Sequence, residues 1–128
     1  MSVVVVIHCA FEDTPQTVAY VNVGGLKSDP SDGESYINEA LDYAYRWTQN
    51  IQDSWSFKME EDGNDDVEVV GEFYVDKDGK KWGHRSTSMG DQLLFGDKKY
   101  YVDTFGFSEK MPDIVKAMHG SKRKRAVA

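Results

Sequence analysis

Val3-Val4-Val5-Val6-Ile7 is an unbroken run of β-branched side chains close to the start of the chain. Such side chains lose rotamer freedom in a helix and pack well on a pleated surface, so this run is read as a strand. Because it does not alternate with polar residues, it suits a strand buried on both faces. Phe11–Gln16, with Asp13 and Pro15, reads as a turn. Thr17–Val23 then reads as a second strand, returning beside the first as a hairpin that Gly24-Gly25 ends.

From about Glu34 to Asn50 the period changes to that of a helix. Ile37, Leu41, Ala44 and Thr48 form one stripe, and Tyr36, Ala40, Tyr43 and Trp47 form the adjoining one. Together they make an apolar face wide enough to cover one side of a sheet. Ser31 stands three residues before Glu34, the spacing of a capping box, with Ser35 as the other candidate cap. Farther along, Trp55-Ser56-Phe57 reads as a short strand and Glu60–Asp66 as an exposed acidic loop. Val67–Val75 reads as a strand or pair of strands bending near Gly71, and Asp78-Gly79 as a tight turn. Leu93–Phe95 and Tyr100–Val102 flank Gly96–Lys99, a four-residue hairpin connection. Met111–His119, with Pro112 at its first turn, reads as a short terminal helix. The expected fold is therefore α+β. A small, mainly antiparallel sheet is packed by one long amphipathic helix, followed by a C-terminal hairpin and a short terminal helix. Residues 1–119 make a single domain and 120–128 a flexible basic tail.

Charge narrows the choice of partner. The chain has 15 basic and 22 acidic residues, a net of −7. Four of the basic residues, Lys122, Arg123, Lys124 and Arg125, fall in the last seven positions; without them the body has 11 against 22, a net of −11. A body this acidic repels phosphates and favours a basic partner, so direct nucleic-acid binding is expected only of the tail. The lone cysteine, Cys9, excludes an internal disulfide and fits a reducing compartment; in its apolar setting it reads as a buried, inert thiol. Ser2–Ile7, the longest apolar run, is far shorter than the ~20 residues a spanning helix needs. The expectation is a cytoplasmic protein without membrane contact.

No catalytic constellation emerges. Asp62, Asn64 and Asp66 alternate like calcium ligands, as do Asp76 and Asp78, but the twelfth loop positions would be Phe73 and Thr87 instead of a bidentate acid. His8, His84 and His119 are scattered, so neither a metal nor a cofactor is expected. His84-Arg85-Ser86-Thr87-Ser88 does concentrate polar groups, and His84, Arg85, Ser86 and Ser88 make an alternative small-ligand or nucleotide site, closed by Trp82 or Tyr100. Adjacency of a Ser and a His in sequence is not a hydrolase signature, because base and nucleophile must meet in space. The aromatic residues Tyr36, Tyr43, Tyr45, Trp47 and Trp55 are interleaved with acids, and core packing is the better reading for them than base stacking.

One stretch bears a resemblance. Arg85-Ser86-Thr87-Ser88-Met89-Gly90-Asp91, then Leu93-Leu94, then Tyr100-Tyr101-Val102-Asp103, then Phe105-Gly106-Phe107-Ser108-Glu109 resembles the YodL-like module of small proteins and of large polyvalent proteins of phages, plasmids and conjugative elements. Met89 stands where valine is commoner there. The resemblance implies a mobile-element origin and a C-terminal hairpin, and it carries over no catalytic residue. With the acidic body, it leads to the expectation of a non-enzymatic accessory protein that binds and modulates a host or phage protein with a basic surface, as an inhibitor that sets carboxylates where phosphates are expected. The residues expected to carry this are Glu60, Glu61, Asp62, Asp65 and Asp66 of the loop, with Glu34, Glu39 and Asp42 of the helix. A third possibility is an oligomeric structural protein, should the first strand be an exposed edge.

Overall fold

The β-branched run forms β1 (Val3–His8), and its pairing organises the whole fold. In the computed structural model, which describes residues 2–26, 31, 33–50, 55–56, 64–104 and 106–112, β1 lies at the centre of a six-stranded sheet. On one side it pairs antiparallel with β2 (Gln16–Asn22), and β2 pairs with β3 (Val67–Val69). On the other side it pairs antiparallel with β6 (Gln92–Phe95), followed by β7 (Lys98–Val102) and β8 (Phe107–Ser108). A separate two-stranded ribbon consists of β4 (Tyr74–Val75) and β5 (Lys81–Trp82).

β1 is buried on one face only. Val4, Val6 and His8 are buried, while Val3, Val5 and Ile7 are half-buried, because helix α1 (Glu34–Arg46) covers a single side of the sheet. The register slips between Val6 and Ile7, with Val6 opposite Ala19 and Ile7 opposite Thr17. That bulge gives β2 one extra residue, and Val18 and Ala19 are both fully buried as a result. The core is Val4, Val6, Val21, Leu93 and their sheet neighbours against Ala40, Leu41 and Ala44 of the helix. Full burial of a side chain such as Leu41 contributes about 2 kcal/mol by removal of apolar surface from water.

The helix ends four residues short of the expected Asn50, and Gly33, not a serine, is its N-cap, so no side chain caps it. Thr48 Oγ1 donates back to the Ala44 carbonyl, and the Thr48 carbonyl accepts from Thr87 N–H. The apolar period continues past Arg46, but those tertiary hydrogen bonds divert the chain. Trp47 is 42% exposed instead of packed in the core. Trp55-Ser56 is a turn and not a strand, although Trp55 itself reaches the core. Gly96-Asp97 alone joins β6 to β7, with Phe95 paired to Lys98, so the connection is two residues and not four; Gly96 at φ 64° makes it tight. Residues 113–119 of the expected terminal helix and the whole 120–128 tail lie outside the described residues, as does Phe57.

Between β3 and β4 the chain turns at Gly71, where φ is 86°. A Cβ there would lie 2.7 Å from the Thr17 carbonyl oxygen and 2.9 Å from Gln16 Nε2. Backbone conformation and close approach both require glycine at this position. Gly71→Ala is expected to cost about 2 kcal/mol or more, measured as a lower midpoint in urea unfolding with an unchanged slope. A midpoint equal to that of the unsubstituted protein would refute the close approach.

Candidate functional site

The polar segment His84–Ser88 runs along the end of α1 and the end of β1 without joining the sheet. Its groups are bonded to the fold on every side. His84 N–H donates to Ser56 Oγ, and the His84 carbonyl accepts from Asn50 Nδ2. The Arg85 carbonyl accepts from the Trp55 indole at 2.8 Å. Ser86 Oγ accepts from Asn50 N–H, Ser88 Oγ donates to the Ser86 carbonyl, and the Thr87 carbonyl accepts from Gln49 Nε2. Thus Ser86 and Ser88 fasten backbone and are not poised against a base.

Arg85 sits between two carboxylates. Its Nε and Nη2 donate to Glu12 at 3.0 and 2.8 Å, and Nη1 and Nη2 donate to Asp91 at 2.7 and 2.8 Å. Nη1 also donates to the Ser86 carbonyl at 2.9 Å. Those five bonds use every N–H a guanidinium has. The ring of Phe11 lies 4.9 Å from the guanidinium carbon, a cation–π contact.

Asp91, fully buried, joins these parts. Its Oδ1 accepts from Cys9 N–H and Ala10 N–H at 2.9 Å each, and its Oδ2 accepts from Ser88 N–H at 2.7 Å. Burial alone would raise its pKa, but the Arg85 hydrogen bonds and the backbone N–H groups outweigh burial and hold it below the usual carboxylate range. Burial likewise opposes ionisation of Glu12, and Arg85 again prevails and lowers it. The Cys9 thiol, pushed up to about 11 by burial and then by Asp91, donates to the Gly90 carbonyl and is inert.

A line of hydroxyls leads from β1 to the helix. Thr48 Oγ1 donates to the Ala44 carbonyl and Thr87 Oγ1 donates to Thr48 Oγ1 at 2.7 Å. With its one proton committed, Thr87 Oγ1 can only accept from His8 Nε2 at 3.0 Å, so the neutral His8 ring carries its proton on Nε2. Burial lowers the His8 pKa to about 4, with Asp91 opposing and Arg85 assisting. His84 Nε2 donates to the Val70 carbonyl at 2.8 Å, and burial lowers its pKa despite that acceptor. The rings of Trp55 and Phe73 lie 5.7 and 4.8 Å from that of His84. Of the residues proposed to close a pocket here, Tyr100 is in the core and Trp82 is on the exposed ribbon.

The acidic residues are partly brought together. Tyr43 Oη donates to Asp66 Oδ2 at 2.6 Å and accepts from Asn64 Nδ2 at 2.9 Å, which holds the end of the acidic stretch against α1. Burial and then Asp66 raise the Tyr43 pKa against the effect of Asn64. Glu39 lies one turn before Tyr43. Asp42 is paired with Arg46 at 3.0 Å, and Glu34 lies about 12 Å from Asp42 along the helix axis, at eight residues of 1.5 Å rise. Glu60, Glu61 and Asp62 lie outside the described residues. Asn64 Oδ1 accepts from Asp66 N–H, and Asp76 Oδ1 accepts from Asp78 and Lys80 N–H, so both alternating-oxygen stretches shape turns. Among the described residues no group of His, Cys, Asp or Glu is placed to hold a metal ion, and no helix is long and apolar enough to cross a membrane.

Sequence reasoning passed over Glu12, Asp91 and His8. One signal for His8 was available: it lies two residues beyond Val6 on the alternating strand and therefore on the buried face. Comparison with protein-family models, with curated proteins and with solved structures found no match.

Proposed function

We propose that the protein is a non-enzymatic accessory protein of a phage or other mobile element that binds a basic surface on a host protein and modulates it. The bond from Tyr43 to Asp66 supports this reading, because it joins the acidic stretch to the helix turn carrying Glu39 and Asp42. Glu60, Glu61 and Asp62 precede that anchor by only a few residues in the chain. The resemblance of residues 85–109 to YodL-like modules supports the mobile-element origin. The alternative ligand site at His84, Arg85, Ser86 and Ser88 is disfavoured, since Arg85 has no donor left for a substrate anion. An oligomer built on a free β1 edge is disfavoured as well, since β1 is paired on both sides.

The test reverses charge at two exposed acids, Glu34→Lys with Asp65→Lys. At low salt the unsubstituted protein is expected to capture a basic partner from host lysate, and the double variant is expected to lose it while remaining folded by circular dichroism. Moderate salt should release the complex, because exposed charges are screened beyond about 8 Å at physiological ionic strength. Capture that ignores both the reversal and the salt would sink the proposal, and so would a blank at low salt.

A further inference from the structure

The β4–β5 ribbon stands apart from the main sheet, and a two-stranded ribbon buries little of itself. It nevertheless carries the three most exposed large apolar side chains among the described residues: Tyr74 at 69%, Val75 at 53% and Trp82 at 49%. Tyr74 is directly opposite Trp82 in the register, so the two rings rise from the same face.

The indole is held in place. Trp82 Nε1 donates to Asp76 Oδ2 at 3.0 Å, and Asp76 Oδ1 accepts from the N–H groups that close the turn at Gly79. The Trp82 and Lys80 donors hold the exposed Asp76 carboxyl below its ordinary pKa. An indole whose one polar atom is already satisfied offers an incoming molecule only the π surface that Lys80 leaves uncovered. Lys77, Lys80 and Lys81 are all exposed, and none forms an ion pair among the described residues. Lys80 Nζ lies 4.3 Å from the Trp82 ring centre. The ribbon thus brings two exposed aromatic side chains together with three lysines.

We propose that the β4–β5 ribbon is a binding site for single-stranded nucleic acid, with Tyr74 and Trp82 stacking on bases and Lys77, Lys80 and Lys81 meeting the phosphates. Unstacked bases supply the flat partners that two exposed rings require, and the backbone supplies charge for Lys80 beside the Trp82 ring and for Lys81 on the other face of the narrow ribbon. A duplex hides its base faces, and an acidic peptide has charge without rings to stack. Asp76 and Asp78 of the same turn offset part of the lysine charge, with Asp76 committed to the Trp82 indole and the turn N–H groups. The acids of the body beyond about 8 Å are largely screened at physiological ionic strength. This site goes beyond the acidic surface proposed above and uses none of its residues.

The test uses the full chain with Lys122, Arg123, Lys124 and Arg125 all replaced by serine, which removes the tail as a source of phosphate contacts. Fluorescein-labelled oligothymidylate is titrated while anisotropy and tryptophan fluorescence are followed at rising salt. Saturable binding is expected, with quenching of tryptophan emission and an affinity that falls as salt rises. Lys80→Glu with Lys81→Glu is expected to weaken binding about tenfold or more, and Tyr74→Ala about tenfold, as loss of one stacking partner does. Both variants leave the six-stranded sheet untouched, so an unchanged far-ultraviolet circular dichroism spectrum is expected to accompany them. The proposal is overturned by an absence of binding at low salt, by equal affinity for a duplex or polyglutamate, or by binding that ignores the lysine reversals.

Discussion

Asp91→Ala is expected to leave the chain largely unfolded at room temperature, a loss of about 5 kcal/mol or more. Breaking a buried ion pair by removing one partner costs about 3–5 kcal/mol, because the surviving charge is left uncompensated. Glu12 softens that cost, since it holds Arg85 from the more open side with both oxygens. Three backbone donors, at Cys9, Ala10 and Ser88, also lose their acceptor, and each orphaned N–H costs about 1–3 kcal/mol. A domain of this size has only about 5–15 kcal/mol of net stability, so the sum approaches the whole of it. Circular dichroism and urea unfolding measure the effect. Stability within 2 kcal/mol of the unsubstituted protein would show that the carboxylate is not the junction its geometry describes.

A second pair of variants separates the two roles of that carboxylate. Replacing an ordinary buried ion pair by apolar residues of similar volume is often neutral. Here Arg85→Leu with Asp91→Leu is expected to remain severely unstable, because the three backbone N–H groups still lack an acceptor. Glu12→Gln, at a side chain 28% exposed, is expected to cost only about 1 kcal/mol. If the double apolar variant recovered full stability, the ion pair and not the backbone clamp would be what Asp91 contributes.

How much of this was legible in the sequence depends on how far apart the partners lie in the chain. β1 was legible because five β-branched residues decide locally, and Leu41 and Ala44 because burial repeats at helical spacing. Thr48 occupies the same stripe, and a polar residue on an apolar face was a sign that something polar would meet it. What meets it is Thr87, 39 residues away, and no local pattern encodes that encounter. The same encounter ends α1 at Arg46, where the periodicity alone carried the helix further. Gly90-Asp91 is locally a turn sequence; the Asp91 carboxylate bonds to residues 81 and 82 positions away, which pairing in the sheet brings near and spacing cannot show. The exposed aromatic ribbon was visible as residues but not as a surface, because only strand register puts Tyr74 opposite Trp82.

The buried histidine makes the fold acid-sensitive at a pH where carboxylates are not yet involved. In the unfolded chain His8 titrates near 6.5, and in the folded chain near 4. Because the folded value is depressed, protons bind the unfolded state more readily between those limits, and stability falls as pH falls through that window. The loss amounts to about 3 kcal/mol by pH 4, with a slope near 1.4 kcal/mol per pH unit in mid-window. His84 acts in the same direction, since burial lowers it too. Glu12 and Asp91 follow later: their folded pKa values are depressed, so the stability they contribute is present above their unfolded values near 4 and is lost only at lower pH. Urea midpoints measured from pH 7 to pH 4 are therefore expected to decline from about pH 6.5 onward. His8→Gln, whose amide keeps a donor for Thr87, is expected to flatten most of that decline while lowering stability at pH 7 by about 1 kcal/mol. A midpoint constant from pH 7 to pH 5 would mean that His8 takes up its proton without leaving the core. In that case the line of hydroxyls from Thr87 to Ala44 would have to accommodate an imidazolium, with Asp91, 3.9 Å from His8 Nε2, as its counter-charge.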